Sequence, residues 1–171
     1  MIACWLLSAV EAKRALDDQK PLDLREPIQR AEASIAAQAA AKAISMASTL
    51  PPEPCIVSAD EFLIEKAILN LFQNAIAFAP RGGKVLASLK QHDGSCELRV
   101  EDNGPGVPDY AQPRVFERFF SLPRPDTGKK SSGLGLAFVR EVASLHRGSV
   151  ELKNGPSGGA IAELRLPRVI S

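Results

Sequence analysis

Three short segments carry residue types suited to holding a nucleotide and its phosphates. Asn70-Leu-Phe-Gln-Asn74-Ala75 offers two amides one helical turn apart, Asp102-Asn-Gly104-Pro-Gly106 sets a carboxylate in a glycine turn, and Ser132-Gly133-Leu134-Gly135-Leu136 opens a helix with glycines. A neutral amide oxygen binds Mg2+ beside phosphates without adding negative charge, so Asn74 and Asn70 are the candidate metal ligands. Neither is a strong base. That favours binding and phosphoryl transfer over rapid hydrolysis, with Asn70 as the candidate catalytic residue organising the phosphates. Standing alone, the pair would more often cap a loop.

Asp102 has two readings: a plain Asx turn after a strand, or an acceptor for the exocyclic amine of adenine. Guanine presents an acceptor at the corresponding position, so a buried carboxylate would select adenine. Gly104 and Gly106 let the chain turn around the base. Gly133 and Gly135 let phosphates approach the free N–H groups where a helix begins at Leu134. Lys129 and Lys130, just before Ser132, add positive charge. Thr127-Gly128-Lys129-Lys130-Ser131 is not a P-loop, because Pro123 stands where its first glycine belongs and no strand precedes it. No dinucleotide fingerprint and no nucleophile motif beside either histidine is present.

The elements that must position these residues follow from periodicity. A short amphipathic helix is expected over residues 5–16, broken by Gln19-Lys-Pro21-Leu-Asp23, and a second over residues 25–47 through Ala31, Ile35, Ala39 and Ala43. Pro51, Pro52 and Pro54 lead into a short strand around Cys55 to Val57. Asp60 or Ser58 caps the next helix, whose broad apolar side runs through Leu63, Ala67, Ile68, Leu71, Phe72 and Ile76 until Pro80-Arg-Gly82-Gly83 stops it. Residues 84–90 and 95–101 read as a hairpin turning at Gln91-His92-Asp93-Gly94. Val115-Phe116-Glu-Arg118-Phe119-Phe120 is an apolar anchor, and residues 121–132 form a mobile loop. A helix over 134–146 follows, then strands over 149–153 and 160–166. His92 reads as a solvated turn residue and His146 as a donor to exposed helix-end carbonyls. Helices separate hairpins, which predicts an α+β, two-layer α/β sandwich: a mixed, mostly antiparallel sheet covered by helices.

Composition excludes several classes. With 171 residues and 45% hydrophobic content the chain has the size and core of a domain. A net charge of +1 and no long basic block give nucleic-acid binding little support. Cys4, Cys55 and Cys96 are odd in number and widely spaced, arguing against a disulfide framework or structural zinc and for a reducing cytoplasm. The apolar run from Ile2 to Val10 is too short to span a bilayer, so a soluble chain is expected.

In this order the segments resemble the N, G1, F and G2 boxes of the ATP-binding catalytic domain of bacterial sensor histidine kinases, in the wider group shared with DNA gyrase B and Hsp90. Asn70 to Ala75, Asp102 to Gly106, Phe116 to Phe120 and Gly133 to Leu136 match in turn, over about residues 52–167. The resemblance implies the Bergerat ATP-binding fold, with ATP and Mg2+ as cofactors. Asn74 would hold Mg2+, Asn70 the phosphates and Asp102 the adenine, under an ATP lid between Phe120 and Ser132. Hydrolytic relatives place a glutamate where Asn70 stands.

Three departures matter. Ser131 replaces the first glycine of G2. Ala77 and Phe78 replace a basic residue and a tyrosine, so Arg81, Lys129 or Lys130 would have to substitute. No box with a phosphoacceptor histidine is present. Residues 1–50 then read as the end of a dimerisation hairpin plus a leading helix, and 51–171 as the catalytic domain. The implied function is donation of the γ-phosphoryl group of ATP to a histidine on a separate or missing dimerisation domain, and through the complete kinase to a response regulator. That kinase would be cytoplasmic or anchored in the inner membrane. A non-catalytic nucleotide-sensing or scaffold module, or a gyrase-like ATPase, are the alternatives.

Overall fold

The computed structural model describes residues 17–170. The helix expected over residues 5–16, and Cys4, lie outside them. A five-stranded sheet has the order β2 (Ser45–Thr49), β4 (Lys84–His92), β5 (Ser95–Asp102), β7 (Ala160–Pro167), β6 (Ser149–Asn154). Only β2 and β4 are parallel; the other neighbours are antiparallel. A two-stranded ribbon pairs β1 (Lys20–Asp23) with β3 (Ile56–Ala59). Among the described residues, three helices, α1 (Arg25–Ala41), α2 (Glu61–Phe78) and α3 (Gly135–Leu145), form the second layer. The mixed, mostly antiparallel α+β sandwich expected from the sequence is the fold observed. No helix of the described residues is long and apolar enough to cross a membrane.

α2 sits at the centre. Its N-cap is Asp60, whose Oδ1 accepts the Leu63 N–H at 3.0 Å, and Ile64, Ala67, Ile68, Leu71 and Phe72 are buried at helical spacing. They meet Ile28 and Ile35 of α1, Phe138 and Val142 of α3, and the inward residues Val85, Leu98, Val100 and Leu164 of the sheet in one core. Burying so many large aliphatic side chains, at roughly 1.5–3 kcal/mol each, outweighs what local propensity alone supplies. The opposite face of the sheet carries an ion ladder instead: Glu163 meets Lys153 at 2.8 Å and Arg165 at 3.3 Å, and Arg165 reaches Glu97 at 2.6 Å.

Several expectations change. Residues 20–23 do more than interrupt a helix, since Leu22 is buried and the segment pairs with β3. α1 ends at Ala41, where Ala43 turns with φ 54°, and residues 45–49 leave it to pair with the edge of β4. Cys55 and Cys96, both fully buried, form a disulfide across 41 residues of sequence, because the chain entering β3 lies against β5. Phe119 is no part of the apolar anchor: it is 73% exposed, whereas Val115 is buried and Phe116 and Phe120 pack beside it.

His146 is also placed otherwise than expected. It is buried, its Nδ1 lies 2.7 Å from the Val142 carbonyl, and its Nε2 accepts the Asp60 N–H at 3.0 Å. The ring thus joins the end of α3 to the cap of α2. This geometry requires an unprotonated Nε2, and desolvation holds the imidazole below its ordinary value of 6.5 against the opposing pull of the Val142 carbonyl and Asp60.

Two predictions follow from these contacts. Reducing the Cys55–Cys96 bridge releases a loop whose closure is worth on the order of 4 kcal/mol in the chain-entropy account, so the urea midpoint should fall when reductant is added; an unmoved midpoint would show the bridge to be silent. With a depressed histidine, stability is full above 6.5 and is lost as pH falls through the folded value. Urea titrations between about pH 8 and pH 5 should therefore show a steeper acid loss for the native chain than for His146→Gln, and parallel profiles would contradict the neutral-ring account.

Candidate functional site

The nucleotide-type segments converge on one cavity of about 250 Å³. α2 supplies Asn70, Gln73 and Asn74 along one wall, the end of β5 supplies Asp102, and the start of α3 supplies Gly133, Gly135 and Leu136. Asn70 and Asn74 share a face because four residues advance a helix by about one turn. The Asn70 Nδ2 donates to the Lys66 carbonyl at 3.0 Å, which fixes the amide. Its Oδ1 faces α3: a Cβ added to Gly135 would lie 3.1 Å from it.

Asp102 is held from two sides. Its Oδ1 accepts the Gly104 N–H at 2.9 Å and the Ala160 N–H at 3.4 Å. Desolvation raises its carboxyl above the ordinary carboxylate value, while those two donors and the positive charge of Lys42 act in the opposite direction. Gly159, with φ 76°, has no room for a side chain, since a Cβ there would run into the Asp102 carbonyl. The turn after Asp102 is fastened by Asn154, whose Oδ1 accepts the Val107 N–H at 2.6 Å and whose Nδ2 donates to the Val107 carbonyl at 2.9 Å. Val107, Val115, Leu136, Leu152 and Ala160 provide apolar lining.

The segment between Phe120 and Gly133 lies along the cavity, with Ser121, Leu122, Arg124, Ser131 and Ser132 lining it. Its base is closed where Ser121 Oγ accepts the Ser131 N–H at 3.0 Å and pairs with the Ser131 hydroxyl at 3.0 Å. Ser131 thus makes a contact across the base of this segment that glycine has no side chain to make. Further out, the Arg124 N–H donates to the Lys129 carbonyl and the Gly128 N–H to the Arg124 carbonyl. The Phe119 N–H donates to the Gly133 carbonyl at 2.9 Å. Gly133 has φ 73°, and a Cβ there would approach the Phe119 carbonyl carbon to 2.5 Å. The aromatic segment and the helix start are therefore locked together through backbone.

Of the residues singled out from sequence, Asn70, Asn74, Asp102, Gly106, Ser132, Gly133, Gly135 and Leu136 line the cavity. Gly104 holds Asp102 from the turn, and Leu134 is buried at the foot of α3. Lys129, Lys130 and Arg81 are exposed and do not line it; Arg124 is the cation that does, among the described residues. Asn154 and Gly159 were missed, although Asn154-Gly-Pro-Ser-Gly158-Gly159 marks a tight approach. Lys42 was missed as well. It caps α1, and its Nζ donates to the Ile76 and Ala77 carbonyls at 2.9 and 3.1 Å.

The donor set fits Mg2+ shared with phosphates. No group of three or more His, Cys, Asp or Glu residues that would hold a metal by itself exists among the described residues, whereas two amide oxygens on one helix face leave coordination positions for phosphate oxygens and water.

Comparison with known proteins agrees with this geometry. Residues 59–170 match the family model described as histidine kinase-, DNA gyrase B- and HSP90-like ATPase. Sensor protein CreC of Escherichia coli is 45% identical over 147 residues, which make up 86% of this chain and 30% of CreC. The chain thus spans less than a third of that relative. The mycobacterial sensor histidine kinase MprB has a solved structure superposing with a TM-score of 0.77 at 32% identity, covering 90% of this chain and 99% of that one. Full-length ShkA in complex with AMPPNP superposes at 0.75 with 28% identity, covering 90% of this chain and 32% of that one. The chain belongs to the histidine kinase-, DNA gyrase B- and HSP90-like ATPase family, has its Bergerat fold, and is homologous to the catalytic domains of bacterial sensor histidine kinases.

Proposed function

We propose that the cavity binds ATP with Mg2+ and donates the γ-phosphoryl group to a histidine on a dimerisation domain, from which a response regulator would be served. The observation that carries this reading is the arrangement within one cavity of a buried carboxylate, Asp102, and a pair of helix amides, Asn70 and Asn74, at the foot of α3. Asp102 accepts the adenine amine, and the apolar lining holds the ring. Asn74 and Asn70 hold the metal and orient the phosphates, while the N–H groups opening α3 receive phosphate oxygens. Mg2+, when bound, neutralises charge on the phosphates. Lid residues exclude water. ShkA, which superposes on this chain over about a third of its own length, has a solved structure in complex with AMPPNP, which supports a nucleotide as the ligand.

Phosphoryl transfer is favoured over hydrolysis by the lining itself. Asp102 is the sole carboxylate there among the described residues, and its role is at the base end, so no general base stands beside Asn70 to activate water. The assignment of residues 1–50 to the end of a dimerisation hairpin and a leading helix belongs to this proposal; within it, α1 packs on α2.

Calorimetric titration in Mg2+ should show binding of ATP and little of GTP. Asp102→Asn should weaken ATP by about tenfold or more, the scale of a hydrogen bond to a charged group; unchanged affinity would remove Asp102 from adenine recognition. Labelled ATP supplied with a histidine-bearing dimerisation domain should transfer label to that domain, and Asn70→Asp should lower the transfer. Binding without transfer would instead favour a nucleotide-sensing module, and phosphate release by the isolated chain would favour an ATPase.

A further inference from the structure

Lys42 belongs to none of the motif segments, yet it is the most firmly held cation near the cavity. Its backbone carbonyl accepts the Gly82 N–H at 3.0 Å, its ammonium donates to the last carbonyls of α2, and its side chain is only 13% exposed. The remaining direction of the ammonium meets Asp126 Oδ2 at 3.4 Å. Asp126 stands near the tip of the lid, whose base is clasped by Ser121 and Ser131 and whose waist is closed by the Arg124 and Lys129 backbones. These bonds brace the flap internally. Its base lies at the foot of α3 and its tip, through Asp126, meets the ends of α1 and α2, with Ser121, Leu122, Arg124, Ser131 and Ser132 lining the cavity.

We propose that Lys42 is a positioning residue for the nucleotide reaction: a fixed post whose ion pair with Asp126 holds the lid across the cavity, and which must release Asp126 for nucleotide to enter or leave. This rests on the nucleotide reading of the site. Desolvation opposes ionisation of Asp126, but the Lys42 ammonium together with the backbone N–H groups of Asp126 and Thr127 holds the carboxyl below its ordinary value. The pair fills the place left by the absent basic residue at Ala77: the cation comes from α1, reaches the same helix end, and acts on the lid.

Two readouts separate the latch from the nucleotide reading. In the nucleotide-free chain, trypsin cleavage after Lys129 and Lys130 reports lid release; with nucleotide, stopped-flow dissociation of a fluorescent ADP analogue reports exit. Asp126→Asn, which leaves the carbonyl contacts of Lys42 intact, should speed both by about two- to fivefold at low ionic strength, the range of a partly exposed ion pair. The effect should shrink in high salt, be absent in Asp126→Glu, and add nothing in a Lys42→Met background. Unchanged cleavage in Asp126→Asn, or the same acceleration with Lys42 already replaced, would overturn the latch. A chain that binds no nucleotide would refute the function while the cleavage series still decides the latch.

Discussion

The site depends on the close approach of three backbones around Asp102. The turn leaving β5, the start of β7 and the end of α2 meet there, with Gly104 against the Phe78 carbonyl and Gly159 against that of Asp102. Only because no Cβ intervenes can two N–H groups reach Oδ1 and keep a buried carboxylate supplied with donors. Without them the group would be left buried and underpaired, a cost of several kcal/mol. Asn154 extends the same junction by tying the turn to the β6–β7 hairpin. The wall that carries Asp102 is therefore rigid, and α2, packed against the sheet behind it, fixes the amides opposite.

The other side of the cavity has little regular structure. Between Val107 and Gly133 the chain has one short 3-10 turn, Gln112–Arg114, and a small satellite core of Val107, Ala111, Val115 and Ala160. From there the lid hangs on the Ser121–Ser131 clasp and the Phe119–Gly133 backbone bond. On the proposed function, the half around Asp102 would select the base and the half between Phe120 and Gly133 would cover the phosphates.

Much of this was legible in the sequence because its causes are local. Asp60 caps α2, apolar residues repeat at helical spacing, and Gly94 turns the β4–β5 hairpin, so α2 and the two hairpins were foreseen with small shifts at their ends. Non-local causes were not legible. β2, Ser-Met-Ala-Ser-Thr, follows an alanine-rich helix without glycine or proline between them, and it is a strand because the edge of β4 is there to pair with it. Leu22 makes a strand of a proline-containing break in the same way. The Cys55–Cys96 bond, the His146–Asp60 link and the Lys42–Asp126 pair each join residues 41 or more positions apart. In the site, the three motif segments were expected to meet and do. Lys42 escaped notice because its role is created by where α1 ends, beside the last turn of α2, and by no pattern around it.

The central claim is that the Asp102 carboxylate selects a nucleotide by the amine at the purine 6-position. The most direct measurement compares ATP with inosine triphosphate, which carries a carbonyl oxygen there and a proton on N1 with the same ribose and triphosphate, by calorimetry in Mg2+. The account predicts that the inosine nucleotide binds at least about tenfold more weakly, and that Asp102→Asn removes most of the difference. Equal affinity of the two nucleotides for the native chain would contradict it.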